Sequence, residues 1–181
     1  MQPAERILIG NIAFIVCCVF YLAWWLLAFR PNDPIQGMRT GWLLLPAAVA
    51  GIAGVVLIVR GVLDAGSGRQ LFRDSWVVAY VVLMLVTSRV FDRPVTSELL
   101  LITGWGALTL VEINALYGLG SFTRAASLVF VLVVAACLVA DLVCYVAYYR
   151  LSATAGFVDG MVPLLLAGLV MAALSVWLRT R

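Results

Sequence analysis

The chain is a series of long apolar segments separated by short polar ones. Most of these segments are close to the roughly 20 apolar residues that a helix needs to cross the hydrocarbon core of a bilayer. Of the 181 residues, 65% are hydrophobic and only 12% are charged. A soluble domain with this composition would expose too much apolar surface to stay dissolved. The sequence therefore predicts an all-α fold, a polytopic transmembrane helical bundle of about six spans.

No polar stretch is long enough for a second domain, so we expect residues 1–181 to form a single integral membrane helical domain. Its predicted spans cover about residues 7–29, 41–60, 75–91, 96–117, 124–149 and 158–178. The third is the shortest and crosses only if it extends through Arg89. Six spans place both termini on one side, which carries seven arginines against five on the other. This excess predicts cytoplasmic termini, and we expect a multi-pass protein of a bacterial cytoplasmic membrane.

The fourth predicted span carries an acid near each end and reads ELLLITGWGALTLVEINALY. Its acids, Glu98 and Glu112, are fourteen positions apart. At roughly 100° per residue, that spacing returns them to within about 40° of one face, together with Trp105 and Thr109. A carboxylate that faces lipid costs at least about 2.5 kcal/mol. We therefore expect this face to meet protein or water, and the other helices to wrap around the fourth span.

A first polar cluster follows from the depth of Asp141, which lies about eight residues from the nearest end of the fifth span. If the fourth and fifth spans form an antiparallel hairpin that turns near Gly120, Asp141 is level with Glu98. The turn between the third and fourth spans brings Arg89 to the same height. We predict that Arg89, Glu98 and Asp141 meet there, with Tyr145 beside them, and that they bind a small polar or cationic solute.

A second polar cluster is predicted on the opposite side, where Glu112 is level with Asn11 and Arg60. An Arg60–Glu112 ion pair would compensate both charges. Either cluster has an alternative interpretation as a buried polar contact that only fixes the register of the helices.

Several kinds of chemistry are excluded or disfavoured by composition. The chain has no histidine, which excludes His-ligated haem, zinc or copper and Ser-His-Asp catalysis. No run of basic residues suggests nucleic acid, and no phosphate-binding glycine loop or hydrolase motif is present. We expect no cofactor and no metal, and the sequence favours a non-catalytic protein. Four cysteines lie inside apolar runs without a C-x-x-C pair, and we expect inert thiols: Cys17, Cys18, Cys137 and Cys144.

Three functions remain open. The first is a small-solute transporter or a membrane solute-binding component; in size and span count the chain is similar to the membrane S-components of energy-coupling vitamin transporters, although no motif is shared. The second is an accessory or assembly subunit that binds a membrane partner subunit through small-residue faces of the second and sixth spans. The third is an intramembrane enzyme that uses carboxylates and tyrosine. A binding protein needs a cavity that reaches the acids, a subunit can have its acids fully paired, and an enzyme needs a nucleophile beside a base.

Overall fold

The computed structural model describes residues 1–30, 40–66, 85, 89 and 97–180. These residues form only helices and turns. A short 3-10 turn, Gly41–Leu43, leads into the second helix. The helices are α1 (Pro3–Ala28), α2 (Leu44–Asp64), α3 (Ser97–Gly118), α4 (Arg124–Tyr148), α5 (Ala153–Asp159) and α6 (Val162–Arg179).

Five stretches of the described chain are long and apolar enough to cross a membrane: Pro3–Ala28, Gly41–Asp64, Glu98–Gly118, Arg124–Tyr148 and Ala153–Arg179. The all-α multi-pass bundle is thereby confirmed, with five observed spans. The predicted third span, 75–91, lies outside the described residues except for Leu85 and Arg89.

The helix that the others surround is α3. In its most apolar stretch 61% of the residues are buried, against 11–28% in the other four spans. Its buried side chains point in all directions around the axis, and Leu99, Val111, Ile113 and Leu116 are each at most 1% exposed. A helix that is apolar all round and carries an acid is stable in a bilayer only with such a cover. The expectation that the other helices wrap this stretch is confirmed from Ile102 to Leu116, whereas Glu98, Leu100 and Leu101 at its start are exposed.

Helices α1 and α2 pack with their backbones in contact. A Cβ atom added to Gly54 would lie 2.9 Å from the carbonyl oxygen of Gly10 and 3.0 Å from the backbone nitrogen of Phe14. Between membrane helices, small residues allow this approach and so increase the van der Waals contact that drives association. Near the termini, an ion pair between Arg6 and Asp64 joins the same two helices. The small-residue face predicted on the second span therefore meets α1.

Helices α3 and α4 form the predicted antiparallel hairpin. Gly120 adopts a φ of +75° in the connecting turn, and Thr123 caps α4 by accepting a hydrogen bond from the backbone nitrogen of Ala126 at 3.2 Å. In the resulting register, Leu99 packs against Tyr145, four residues beyond Asp141. Because Leu138 lies against Gly106, Asp141 is level with residues near Thr103, about one helical turn deeper than the estimate from sequence, which placed it level with Glu98.

The start of the last span differs from the prediction. Residues 150–156 were expected to be a loop, but a helix begins at Ala153, where Ser152 accepts from the backbone nitrogen of Ala155 at 3.4 Å. This helix is interrupted between α5 and α6, where the nitrogen of Met161 donates to the carbonyl of Val158 at 3.1 Å rather than to that of Phe157. The carbonyl of Phe157 is thereby left for the indole N–H of Trp25, which donates to it at 3.0 Å.

The contact between α1 and α2 can be tested with two glycine substitutions. We expect Gly54→Ala to destabilise the protein by about 1–3 kcal/mol, because the added methyl group would overlap backbone atoms of α1 that cannot rotate away. Gly41→Ala is the matched control, since a Cβ there meets no atom within 4 Å. The measurement is the midpoint of thermal unfolding in detergent. Equal midpoints for the two variants would contradict the close approach.

Candidate functional site

A cavity of about 790 Å³ lies in the half of the bundle opposite the termini, between α1, α2, α3, α4 and the start of α6. Ligand sites in proteins occupy about 300–1,000 Å³, so this cavity has the size of a site for an organic molecule. Its wall is mostly apolar. The charged side chains among its described lining residues are three carboxylates, namely Glu98, Asp141 and Asp159.

Asp141 is the most deeply enclosed of these acids. It is 1% exposed, and its Oδ1 atom has no hydrogen-bond partner in the described part of the chain. The spacing of i, i+3, i+4 and i+7 places Cys144, Tyr145 and Tyr148 on the same face of α4, and all four line the cavity. Buried polar atoms without a partner are rare in native structures, so a cavity-lining atom of this kind needs an explanation.

A second buried polar atom in the cavity wall also lacks a hydrogen-bond partner among the described residues. Trp105, on α3, is 6% exposed and also lines the cavity, and its indole Nε1 atom has no partner among the described residues. The cavity wall therefore contains both a buried acceptor and a buried donor that the described part of the protein leaves unpaired.

Three of the four residues predicted for the first cluster line this cavity. Asp141 and Tyr145 are buried there, whereas Glu98 is exposed in the first turn of α3. Arg89 is exposed and is not one of the described residues that line the cavity. An arginine near a membrane surface can extend its head group to water, which matches the observed exposure.

The sequence interpretation missed two contributors to the site. Asp159 lines the cavity from the end of α5, beside the thiol of Cys144. Trp25, at the end of α1, also lines the cavity and stacks on Phe29 with 4.4 Å between ring centroids. Ser152 was the available signal for Asp159, because a serine cap predicts that a helix starts there, which makes Asp159 part of a helix rather than of a loop.

The second predicted cluster is formed only in part. Asn11 and Glu112 are both 0% exposed, and the Asn11 side-chain nitrogen donates to Glu112 Oε1 at 2.6 Å. Arg60 is exposed, so the predicted Arg60–Glu112 ion pair is not observed. The neighbouring residue Gly61 packs onto Ile7 of α1, which rotates Arg60 by about 100° away from that interface. Neither Asn11 nor Glu112 lines the cavity.

The cysteines are free thiols in different surroundings. Cys17, Cys18 and Cys144 line the cavity, whereas Cys137 does not. Within the described residues, no group of three or more cysteine, aspartate and glutamate side chains is arranged to hold a metal ion.

The Asn11–Glu112 hydrogen bond predicts a graded response to substitution. Glu112→Ala removes the acceptor and leaves the buried Asn11 amide unpaired, which should destabilise the protein by about 1–3 kcal/mol. Glu112→Gln keeps an oxygen in the place of Oε1 and should retain most of the stability. Thermal unfolding in detergent compares the two. A Glu112→Ala variant as stable as the parent would show that this contact does not hold α1 to α3.

The comparisons with known proteins identify no function for the chain, so a function is proposed from this geometry. No family model, curated protein or solved structure matches the chain. Its similarity to S-components is therefore limited to size and predicted span count, and no residue role is transferred from them.

Proposed function

We propose that the protein is a membrane solute-binding component or small-solute transporter that holds its solute in the cavity beside Asp141. One observation carries this proposal: a carboxylate that is 1% exposed has an unpaired oxygen in the wall of a cavity of about 790 Å³. Leaving a buried polar atom without a partner costs about 1–3 kcal/mol. A solute that donates a hydrogen bond to Asp141 would remove this cost, so the bound state has a stabilising contact that the empty site lacks.

A comparison of Glu112 with Asp141, the two acids that are buried among the described residues, supports solute binding over a purely structural role. Glu112 resembles what a structural role requires, since the Asn11 amide donates to its Oε1 atom and the residue lies outside the cavity. Each acid has one buried oxygen without a partner among the described residues, Glu112 Oε2 and Asp141 Oδ1, and only that of Asp141 belongs to the cavity wall. Asp141 lies against open space instead. An accessory subunit would need only contacts of the first kind, and the difference between the two acids favours the solute-binding function.

The position of the cavity also suggests how a solute enters. The cavity extends to Phe29 and Tyr149, which are 43% and 51% exposed at the face opposite the termini. Towards the termini, the interior of α3 is filled by buried side chains such as Leu108 and Val111, and by Glu112 with its partner. A solute would therefore enter within the half of the bundle opposite the termini, and transport would require the other half to open.

The proposal predicts that Asp141 serves binding at the expense of stability. We expect Asp141→Leu to unfold at the same temperature as the parent or at a higher one, because it removes an unpaired buried oxygen. The same variant should lose stabilisation by solute, which for the parent at 100 times Kd is about 2.7 kcal/mol. Thermal-shift measurements in detergent with a panel of metabolites, grouped by charge, give both quantities.

Asp64→Asn is the control for this experiment, since Asp64 is an exposed acid of α2 outside the cavity and pairs with Arg6. It should keep the response to solute. The proposal would be wrong if no class of solute stabilised the parent, or if Asp141→Leu responded to solute as the parent does.

A further inference from the structure

We infer that the solute is a monovalent organic cation, an ammonium group carried on an apolar or aromatic body. This inference rests on the proposed function and names the ligand class of the same cavity. It is narrower than a small polar solute, and it excludes anions and bare metal ions.

The charge of the cavity wall selects for a cation. Glu98, Asp141 and Asp159 line it from three different helices, and no basic residue is present among the described lining residues. The chain contains neither lysine nor histidine, and Arg89, the arginine predicted to compensate these acids, is exposed and outside the wall. A cleft with charges of one sign and low-dielectric walls concentrates ions of the opposite sign. The deepest of the three acids, Asp141, has the unpaired oxygen that an ammonium N–H or a positive methyl group would contact.

The aromatic wall selects for the same charge. Rings from α1, α3 and α4 line the cavity, and the faces of tryptophan and tyrosine rings attract cations, most strongly where water is excluded. Among the described lining residues there are two indoles and four phenols: Tyr21, Trp25, Trp105, Tyr145, Tyr148 and Tyr149.

One ring is fixed in place by contacts with the protein. Trp25 donates to the carbonyl of Phe157, and the absence of a side chain at Gly160 leaves the space that its six-membered ring occupies. Tyr148 approaches the same ring edge-on, with 6.3 Å between centroids. A ring held in this way loses little freedom when a ligand binds, which favours affinity.

The size and rim of the cavity indicate an organic body on the cation. A bare metal ion would need several oxygen ligands around one point, whereas the acids here are distributed along a mostly apolar wall. Two apolar side chains, Ile52 of α2 and Leu101 of α3, line the cavity and are also 66% and 65% exposed. The cavity therefore reaches the apolar surface of the bundle between these helices, where an apolar body can enter.

Labelling of Cys144 measures the charge preference of the cavity directly, because this thiol lines the wall beside Asp159. The full chain in detergent is treated with a cationic reagent, 2-(trimethylammonium)ethyl methanethiosulfonate, or with its anionic counterpart, 2-sulfonatoethyl methanethiosulfonate. Peptide mass spectrometry follows Cys144 alone. Dividing the two rates removes the intrinsic reactivity of the thiol, and the same ratio for free cysteine is the reference.

We expect the cation-to-anion rate ratio at Cys144 to exceed the reference by at least about tenfold, the lower end of electrostatic focusing in clefts. The ratio should fall several-fold in Asp141→Asn and stay unchanged in Asp64→Asn. A ratio equal to that of free cysteine, or a preference for the anion, would overturn the inference. If Asp141→Asn fails to fold, the ratio measured in the parent chain still decides between these outcomes.

A protection experiment tests the charge of the ligand separately from whether the cavity binds a ligand at all. Cys144 is labelled with neutral methyl methanethiosulfonate in the presence of benzyltrimethylammonium or of phenylmethanesulfonate, which have the same aromatic body and opposite charges. We expect only the cation to slow labelling, and to do so in Asp64→Asn but not in Asp141→Asn. Protection by the anion alone, or by both compounds equally, would leave the solute-binding function standing and refute the cationic class. If neither compound protects and none of the three thiol reagents labels Cys144, the cavity is closed to solutes, and both the proposed function and this inference fail.

Discussion

A carboxylate inside the hydrocarbon core of a membrane has no water to bond with, so it depends on whatever the protein places beside it. This chain meets the requirement in two different ways within one bundle. Glu112 accepts a hydrogen bond from the side-chain amide of Asn11 and is fully buried outside the cavity. Asp141 is equally enclosed but borders open volume. Both depend on α3, which carries Glu112 in its buried interior and packs against α4, the helix that carries Asp141.

The distribution of small and large residues along α1 helps to explain why the cavity beside Asp141 lies in the half of the bundle opposite the termini. Gly10 allows the backbone of α2 to approach to contact distance near the termini. Further along, Phe14, Tyr21 and Trp25 project bulky rings into the space between helices and line the cavity. Helices that touch through glycine at one end and through aromatic rings at the other leave a gap at the second end. The same helix therefore supplies both the tight contact and the wall of the site.

Sequence reasoning succeeded for properties that depend only on the position of residues along the chain. Span lengths predicted the membrane bundle, and counting residues from the turn at Gly120 placed Asp141 within about one helical turn of its observed depth. It failed for contacts that depend on the direction in which a side chain points around its helix. Arg60 has a height compatible with Glu112, but height contains no information about the angle between them, and the packing of Gly61 turns Arg60 outward. The position of Trp25 could not be predicted either, because its hydrogen-bond partner is the carbonyl of Phe157, more than 130 residues later. This carbonyl is available because the helix is irregular at Met161.

The apolar rim formed by Ile52 and Leu101 has a consequence for how occupancy of the cavity should be counted. A molecule that reaches the cavity through this rim arrives from the acyl-chain phase, where its local concentration is the aqueous concentration multiplied by a partition coefficient. Occupancy then follows the ratio of solute to lipid rather than molarity in the buffer, and arrival is governed by two-dimensional diffusion within the leaflet. Lipid tails and detergent chains occupy the same phase and compete for the same entrance, so the hydrophobic environment becomes a variable of the binding equilibrium.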